Sequence, residues 1–392
     1  MGTLTPKTAS KAPGKQKVAP IVKAPAVPQP PPGLFPTAYV IVEDPAPAAM
    51  TTAFDTIKNK SAFKNVLFAL SDLTGPKPIY FGHKDNQQTF IASTAKIAVM
   101  YVAIWLRYTL RENAKHITAT GIPDLTNKLK GLWSGVARPF GNRFSSHTWP
   151  PNLDDMFEIT GNQSQGWKIE FTQDRDYSIA NRTAALAALG PKHNASLNVI
   201  KTLGFRDCIE LMIGWSDNNA TARCINSLGF DFINETFVRA GFYDKDPVNG
   251  GGLWISRNYA GLQLRADLQG ISPQSGTARQ LVRLMTLAVQ KKLFDIPSSN
   301  DFLLISDKMQ TYPPNAVYSW IAGKLFAKGK NVTKVYSKLG FAAGVTSEVT
   351  YIKEDVGGKE ISYVIGVSRA TSDTSIENLS VELADMVAAA HP

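Results

Sequence analysis

The chain has little of what metal or disulfide chemistry requires. Its 392 residues include two cysteines, Cys208 and Cys224, with no CxxC spacing. Two such thiols make a poor zinc site and a weak case for a disulfide framework, and both read as reduced, small core side chains. The five histidines are scattered, with no HExxH and no i, i+4 pair, so neither a metal site nor a cofactor is expected. Long apolar runs are missing as well. Ile97 to Leu106 is closed off by Lys96 and Arg107 and is too short to span a bilayer, so no transmembrane anchor is expected.

Acidic residues are absent from the first 33 positions, which hold Lys7, Lys11, Lys15, Lys17, Lys23 and eight prolines. Half of the formal net charge of +10 therefore resides in this tail. A segment with no hydrophobic period cannot offset its own ordering entropy, so residues 1–50 read as a disordered, partly polyproline leader. No apolar h-region of a signal peptide is apparent in it. With no aromatic residue before Phe35 and no folded reader motif, no nucleic-acid partner is expected.

What is present is an ordinary globular composition, 44% apolar and 19% charged, enough for one large core or two joined ones. Met50–Lys60 reads as a helix. Val66–Leu70 and Ile79–Phe81 read as strands of a hairpin. A helix from Ser93 to about Leu110 is apolar on nearly every face and must be buried all round. Residues 112–180 are richer in Gly, Pro, Asn and Trp with weak periodicity, an excursion of unassigned structure. Helical pattern resumes at Arg182–Leu189, Ser196–Ile213, Ala220–Ser227 and Phe232–Ala240, then a Gly-rich loop, then a helix at Thr277–Lys292. Two or three strands follow around KVYSKLGFAAGVTSEVTYIKED and ISYVIGVSR, and a helix at Ile376–Ala390 closes the chain. The expected class is α+β: an antiparallel sheet from both chain ends (51–92 and 293–392) with an inserted helical part (93–292).

Within the buried helix, Lys96 follows Ser93 by one turn. A serine hydroxyl needs a base to become a nucleophile, and residues i and i+3 share a helix face, so the spacing predicts the Lys96 amine beside the Ser93 hydroxyl. Burial and a second cation would lower the lysine's pKa and make its neutral form accessible. Alone the spacing says little, because SAFK at Ser61–Lys64 repeats it, and Ser93 as a helix cap with Lys96 snorkelling is the plainer reading. Two further pieces change that. Ser216, Asp217 and Asn218 follow a helical pattern, and Lys338 with Gly340 makes a K-x-G at the head of a strand. Each is common in isolation, as a turn and as a strand start.

Together and in this order, the three pieces resemble the S-x-x-K, S-D-N and K-T-G signatures of class A β-lactamases and penicillin-binding proteins, over residues 51–392. The resemblance implies a β-lactamase/transpeptidase-like α/β sandwich and a serine acyl-transfer hydrolase that opens a β-lactam or cleaves a related amide or ester. Ser93 would be acylated, Lys96 would take its proton, and Ser216 would relay a proton to the leaving nitrogen. Asn218 would bind a substrate amide and Asp217 would order the loop. Lys338 would be the second cation and would attract a substrate carboxylate. The N–H groups of Ser93 and Phe341 would form the oxyanion hole, and Gly340 would let the substrate approach the strand. The substrate would be a small molecule or a peptidoglycan-like D-alanyl peptide, and the compartment the cell envelope or periplasm.

The sequence departs from the pattern in four places. Leu339 replaces the hydroxyl residue of the third signature, which weakens carboxylate binding. No glutamate stands in residues 241–258 to activate a deacylating water; Asp244 and Asp246 are candidates by chemistry but suit a turn. Glu348 on the neighbouring strand would repel a carboxylated substrate if it faced the cleft. The separation of Ser93 from Ser216 exceeds that of a compact class A enzyme, and the excursion at 112–180 accounts for it; that segment would roof the cleft or bind a partner. A D-alanyl peptidase or esterase of the same fold, or a non-catalytic ligand-binding or scaffold descendant, stand as alternatives.

Overall fold

The computed structural model describes residues 33–173, 197–246, 250–259, 266–307, 319–342 and 344–392. The leader through residue 32, the helical pattern at Arg182–Leu189 and the end of the excursion, 174–180, lie outside the described residues.

The sheet is assembled from the two ends of the chain. Strands β1 (Leu67–Asp72) and β2 (Ile79–His83) form a hairpin, and β10 (Val332–Ala342), β11 (Val345–Val356) and β12 (Lys359–Ala370) form a meander. They join in the order β10-β11-β12-β1-β2, with every pairing antiparallel. Short strands β3 (Thr89–Phe90), β8 (Trp254–Ile255) and β9 (Gln274–Gly276) form a second small sheet, and β6 (Tyr243–Asp244) pairs with β7 (Gly251–Gly252).

Helices α1 (Ala48–Lys58), α11 (Trp320–Ala327) and α12 (Asp373–Ala390) pack on one face of the large sheet around Phe54, Phe68, Tyr363, Ile365 and Leu383. On the other face lies a second core with α2 (Lys96–Ala114) at its centre, flanked by α6 (Phe205–Gly214), α7 (Asn218–Leu228), α8 (Phe230–Arg239), α9 (Ala278–Val289) and α10 (Ile296–Ser306). From Lys96 to Arg107 every side chain of α2 is buried, as its all-round apolar pattern demands. Arg107 is neutralised by Asp301, which also binds Arg206.

Three differences from the sequence reading have local causes. Residues 34–41, assigned to the leader, are packed: Leu34, Phe35, Tyr39 and Ile41 lie against the core, and Trp105 Nε1 donates to the Leu34 carbonyl. These four residues belong to the packed unit, which shifts the leader's boundary toward residue 33. The pattern at 196–213 is broken into α5 (Leu197–Thr202) and α6, because Gly204 is pressed against the backbone of Gln173, where a Cβ would lie 2.5 Å from its Cα. The described part of the excursion contains α3 (Ile122–Gly131), α4 (Leu153–Met156) and an antiparallel hairpin of β4 (Phe157–Asn162) with β5 (Gly166–Phe171), the latter packed on α2. Cys208 and Cys224 are both free and buried. Among the described residues no helix is long and apolar enough to cross a membrane.

Candidate active site

Ser93 lies in a single 3-10 turn, Ala92–Ala95, that runs directly into α2. Strand β10, the edge of the large sheet, presses against this turn. A Cβ on Gly340 would come within 2.5 Å of Thr94 N and 2.7 Å of the Ile91 carbonyl, so only glycine permits the approach. The close approach that Gly340 allows is that of the turn's own backbone. Ser347 of β11 locks the arrangement, donating to Ile91 O at 2.8 Å and sharing a 2.9 Å hydrogen bond with Thr94 Oγ1.

The first residue of α2, Lys96, has 0% of its side chain exposed. Its Nζ donates to Ser216 O at 2.5 Å, to Asn218 Oδ1 at 2.8 Å and to Ser216 Oγ at 3.2 Å. Tyr259 lays its ring over the same nitrogen at 4.6 Å. Among the described residues no carboxylate bonds Lys96. Burial, with the Lys338 ammonium adding to it, pushes Lys96 well below the ordinary lysine range, and the Asp217 carboxylate works the other way. A lysine in this state gives up its proton more readily than an exposed one.

Lys338, also 0% exposed, reaches from β10 to Ser216 Oγ at 3.1 Å and to the Leu339 carbonyl at 2.9 Å. Burial lowers it to about 7, against an opposing pull from Glu348. The Ser216 hydroxyl thus stands between two buried amines. Asp217 sits just below it as the N-cap of α7, its carboxylate accepting from Ala220 N at 2.7 Å, which fixes the loop that presents Ser216 and Asn218.

The sequence spacing predicts a contact between Ser93 and Lys96, and among the described residues no hydrogen bond joins their side chains. Lys96 turns instead to the Ser216–Asn218 loop. The Ser216 backbone, at φ 56°, is in the left-handed region, and its carbonyl is the shortest of the three acceptors on the amine. Ser216, Asn218, Lys96 and Lys338 are thereby brought together, with Ser93 on the adjoining turn and half-exposed. Phe341 follows Gly340 on the edge strand, its side chain 64% exposed at the rim. Asp244 is exposed on the β6–β7 ribbon, where it accepts from Asp246 N, and neither aspartate is among the partners of Lys96.

Glu348 does not face the cleft. In the β10–β11 register it stands opposite Leu339, so it lies on the other side of the sheet from Lys338. There it accepts from Ser319 Oγ at 2.5 Å, Thr350 Oγ1 at 2.7 Å, Ser337 Oγ at 2.9 Å and the N–H groups of Trp320 and Ile321 at the start of α11. The sequence alone could not choose between the two faces; the register does.

Tyr259 was invisible to sequence reasoning, because nothing local distinguishes an aromatic residue after a Gly-rich loop. Its hydroxyl donates to the Ala92 carbonyl at 2.9 Å. Five non-glycine residues have positive φ among those described, and three of them meet here: Ala92 at 45°, Ser216 at 56° and Tyr259 at 64°. Each costs about 1 kcal/mol or more, and such strain collects where a site must hold an uncommon geometry. Among the described residues no cluster of three metal-ligating side chains occurs.

A family model described as "Beta-lactamase enzyme family" matches residues 170–390, a span that contains Ser216, Asn218, Tyr259 and Lys338 and begins after Ser93 and Lys96. Solved structures similar to the chain include a β-lactamase from Sphaerobacter thermophilus at 15% identity and a TM-score of 0.44, covering 88% of this chain and 98% of the other. PBP-A is similar at 16% identity and 0.46, with 89% and 97% covered. A β-lactamase from Chitinophaga pinensis is similar at 12% and 0.47, with 88% and 99% covered. No curated protein matches the chain.

Proposed function

The chain belongs to the β-lactamase enzyme family, and from that premise we propose that it forms an acyl-enzyme on Ser93 by attack on a β-lactam or a related small amide or ester. The observation that carries this reading is the convergence of two buried, proton-poor amines, Lys96 and Lys338, on the single hydroxyl of Ser216. Folding gains nothing from crowding two cations together, whereas proton transfer does.

In the proposed step, neutral Lys96 takes the Ser93 hydroxyl proton as Oγ bonds the substrate carbonyl carbon. The resulting oxyanion accepts from N–H groups at the start of the Ser93 helix and on the edge strand. Collapse of the tetrahedral intermediate breaks the C–N bond. The proton held by Lys96 passes through Ser216 Oγ to the leaving nitrogen, which restores neutral Lys96. The Asn218 side chain amide, already against Lys96 through Oδ1, would bind a substrate amide.

Hydrolysis of the acyl-enzyme needs a water activated beside the ester, and residues 241–258 carry no glutamate to activate one. This favours a long-lived adduct, the behaviour of a penicillin-binding protein, over rapid turnover. A D-alanyl peptide as natural acyl donor fits the same chemistry. Intact-mass spectrometry after incubation with a fluorescent penicillin tests the reading: a stable adduct at Ser93, absent in Ser93→Ala, is expected. Absence of any adduct, together with no hydrolysis of activated esters, would reject it in favour of a non-catalytic descendant.

A further inference from the structure

Tyr259 touches both halves of the acylation machinery. Its ring lies over Lys96 Nζ at 4.6 Å, and its hydroxyl donates to Ala92 O at 2.9 Å. Ala92 O and Ser93 N belong to one peptide unit. Because that unit is planar and trans, its carbonyl and its N–H point in opposite directions, and a donor that fixes one aims the other. Ser93 N–H is among the first donors of the helical segment that begins at Ala92, which have no carbonyl of their own turn to bond. The Ala92 backbone at φ 45° holds this peptide in a conformation an alanine rarely keeps unaided.

We infer that Tyr259 is a positioning residue for acylation, orienting the Ala92–Ser93 peptide as the oxyanion donor through its hydroxyl and shielding Lys96 from water with its ring. The inference rests on the acyl-enzyme reading above. Several features suit the residue to the task. Burial pushes the phenol up, out of the range of physiological titration, so the hydroxyl is a permanent donor. A hydrogen bond into the carbonyl polarises the peptide and strengthens its N–H as a donor. The loop is held from behind by Asn258, whose Nδ2 donates to Asn226 Oδ1 at 3.3 Å. Among the described residues, the charged groups acting on Lys96 are Lys338 on β10 and Asp217 on the loop before α7; Tyr259 lies over it, and Arg257, two residues earlier, acts on Tyr259.

Two variants separate the two handles. Tyr259→Phe keeps the ring and loses the hydroxyl; acylation by a chromogenic β-lactam is expected to slow about tenfold at every pH, with the pH midpoint and thermal stability unchanged. Tyr259→Leu admits water to the amine, so relief of desolvation raises the Lys96 midpoint and moves the pH profile of acylation to higher pH. Tyr259→Phe acylating at the wild-type rate would overturn the hydroxyl's role. The ring's role is read independently of activity by a 13C NMR titration of Lys96 Cε, assigned with Lys96→Arg. A midpoint identical in wild type and Tyr259→Leu would overturn it. A wild type that is never acylated would sink the functional reading while leaving this titration to judge the contact between Tyr259 and Lys96.

Discussion

Lys338 and Glu348 belong to adjacent strands, are both fully buried, and face opposite sides of the same sheet. The carboxylate is given five donors, three hydroxyls and two backbone N–H groups that open α11. The ammonium is given two neutral oxygens and a second lysine across the Ser216 hydroxyl. Burial raises the Glu348 carboxyl, and the hydroxyls and the Ile321 N–H oppose that shift while fixing the group in place. A buried charge left short of counter-charge stays close to losing its proton. The two faces of one ribbon thus differ, one holding the architecture and the other carrying the amine to which the proposed function assigns proton transfer.

Substitutions on the reactive face should give the largest effects on chemistry. Ser93→Ala abolishes the covalent adduct, and Lys96→Met slows acylation about 1,000-fold through loss of the base, both read by mass spectrometry and stopped-flow. Lys338→Met slows acylation about 100-fold yet leaves the denaturation midpoint unchanged or higher, since a poorly compensated charge has been removed.

The opposite face inverts the outcome. Glu348→Ala orphans five buried donors and costs about 3 kcal/mol in urea unfolding, while the protein that remains folded acylates at nearly the wild-type rate. A Glu348→Ala protein of normal stability, or a Lys338→Met protein that unfolds readily, would break the comparison.

A pH series sharpens it. The folded Lys338 loses its proton near 7, whereas the unfolded lysine keeps its proton to about 10.4. Between those values the unfolded chain binds more protons, so stability rises with pH and the gain is complete only above the unfolded value. In Lys338→Met that contribution to the slope disappears. The smallest effect belongs to Leu339→Thr: the new hydroxyl shares the face of Glu348, away from the cleft, so the concentration of a carboxylated acyl donor giving half-maximal acylation rate should stay within about twofold of wild type.

Much of this was legible in the sequence, for identifiable reasons. The helix after Ser93 announced its burial by being apolar on every face, and Asp217 at the head of a helical pattern marked a cap. Alternating strands toward the C-terminus gave the meander. Spacing in one dimension failed where partners come from elsewhere in the chain. Lys96 shares a helix face with Ser93, but the acceptors its amine takes, the Ser216 carbonyl and the Asn218 amide, come from a loop more than a hundred residues further along the chain. The side taken by Glu348 depends on the pairing of Leu339 with it, and the place of Tyr259 depends on a loop that returns to the Ser93 turn. The break at Gly204 reflects the Gln173 backbone behind it, which no local pattern records.

The pairing of Leu67 with Arg369 has a consequence for how the protein comes into being. A growing polypeptide emerges with its N-terminal hairpin unable to find its neighbour until the last segment has been made, and contacts so distant close slowly. Lys338 reaches Ser216 only once β10, itself made late, has docked, so the two-amine arrangement proposed to activate Ser93 is completed in the closing act of assembly.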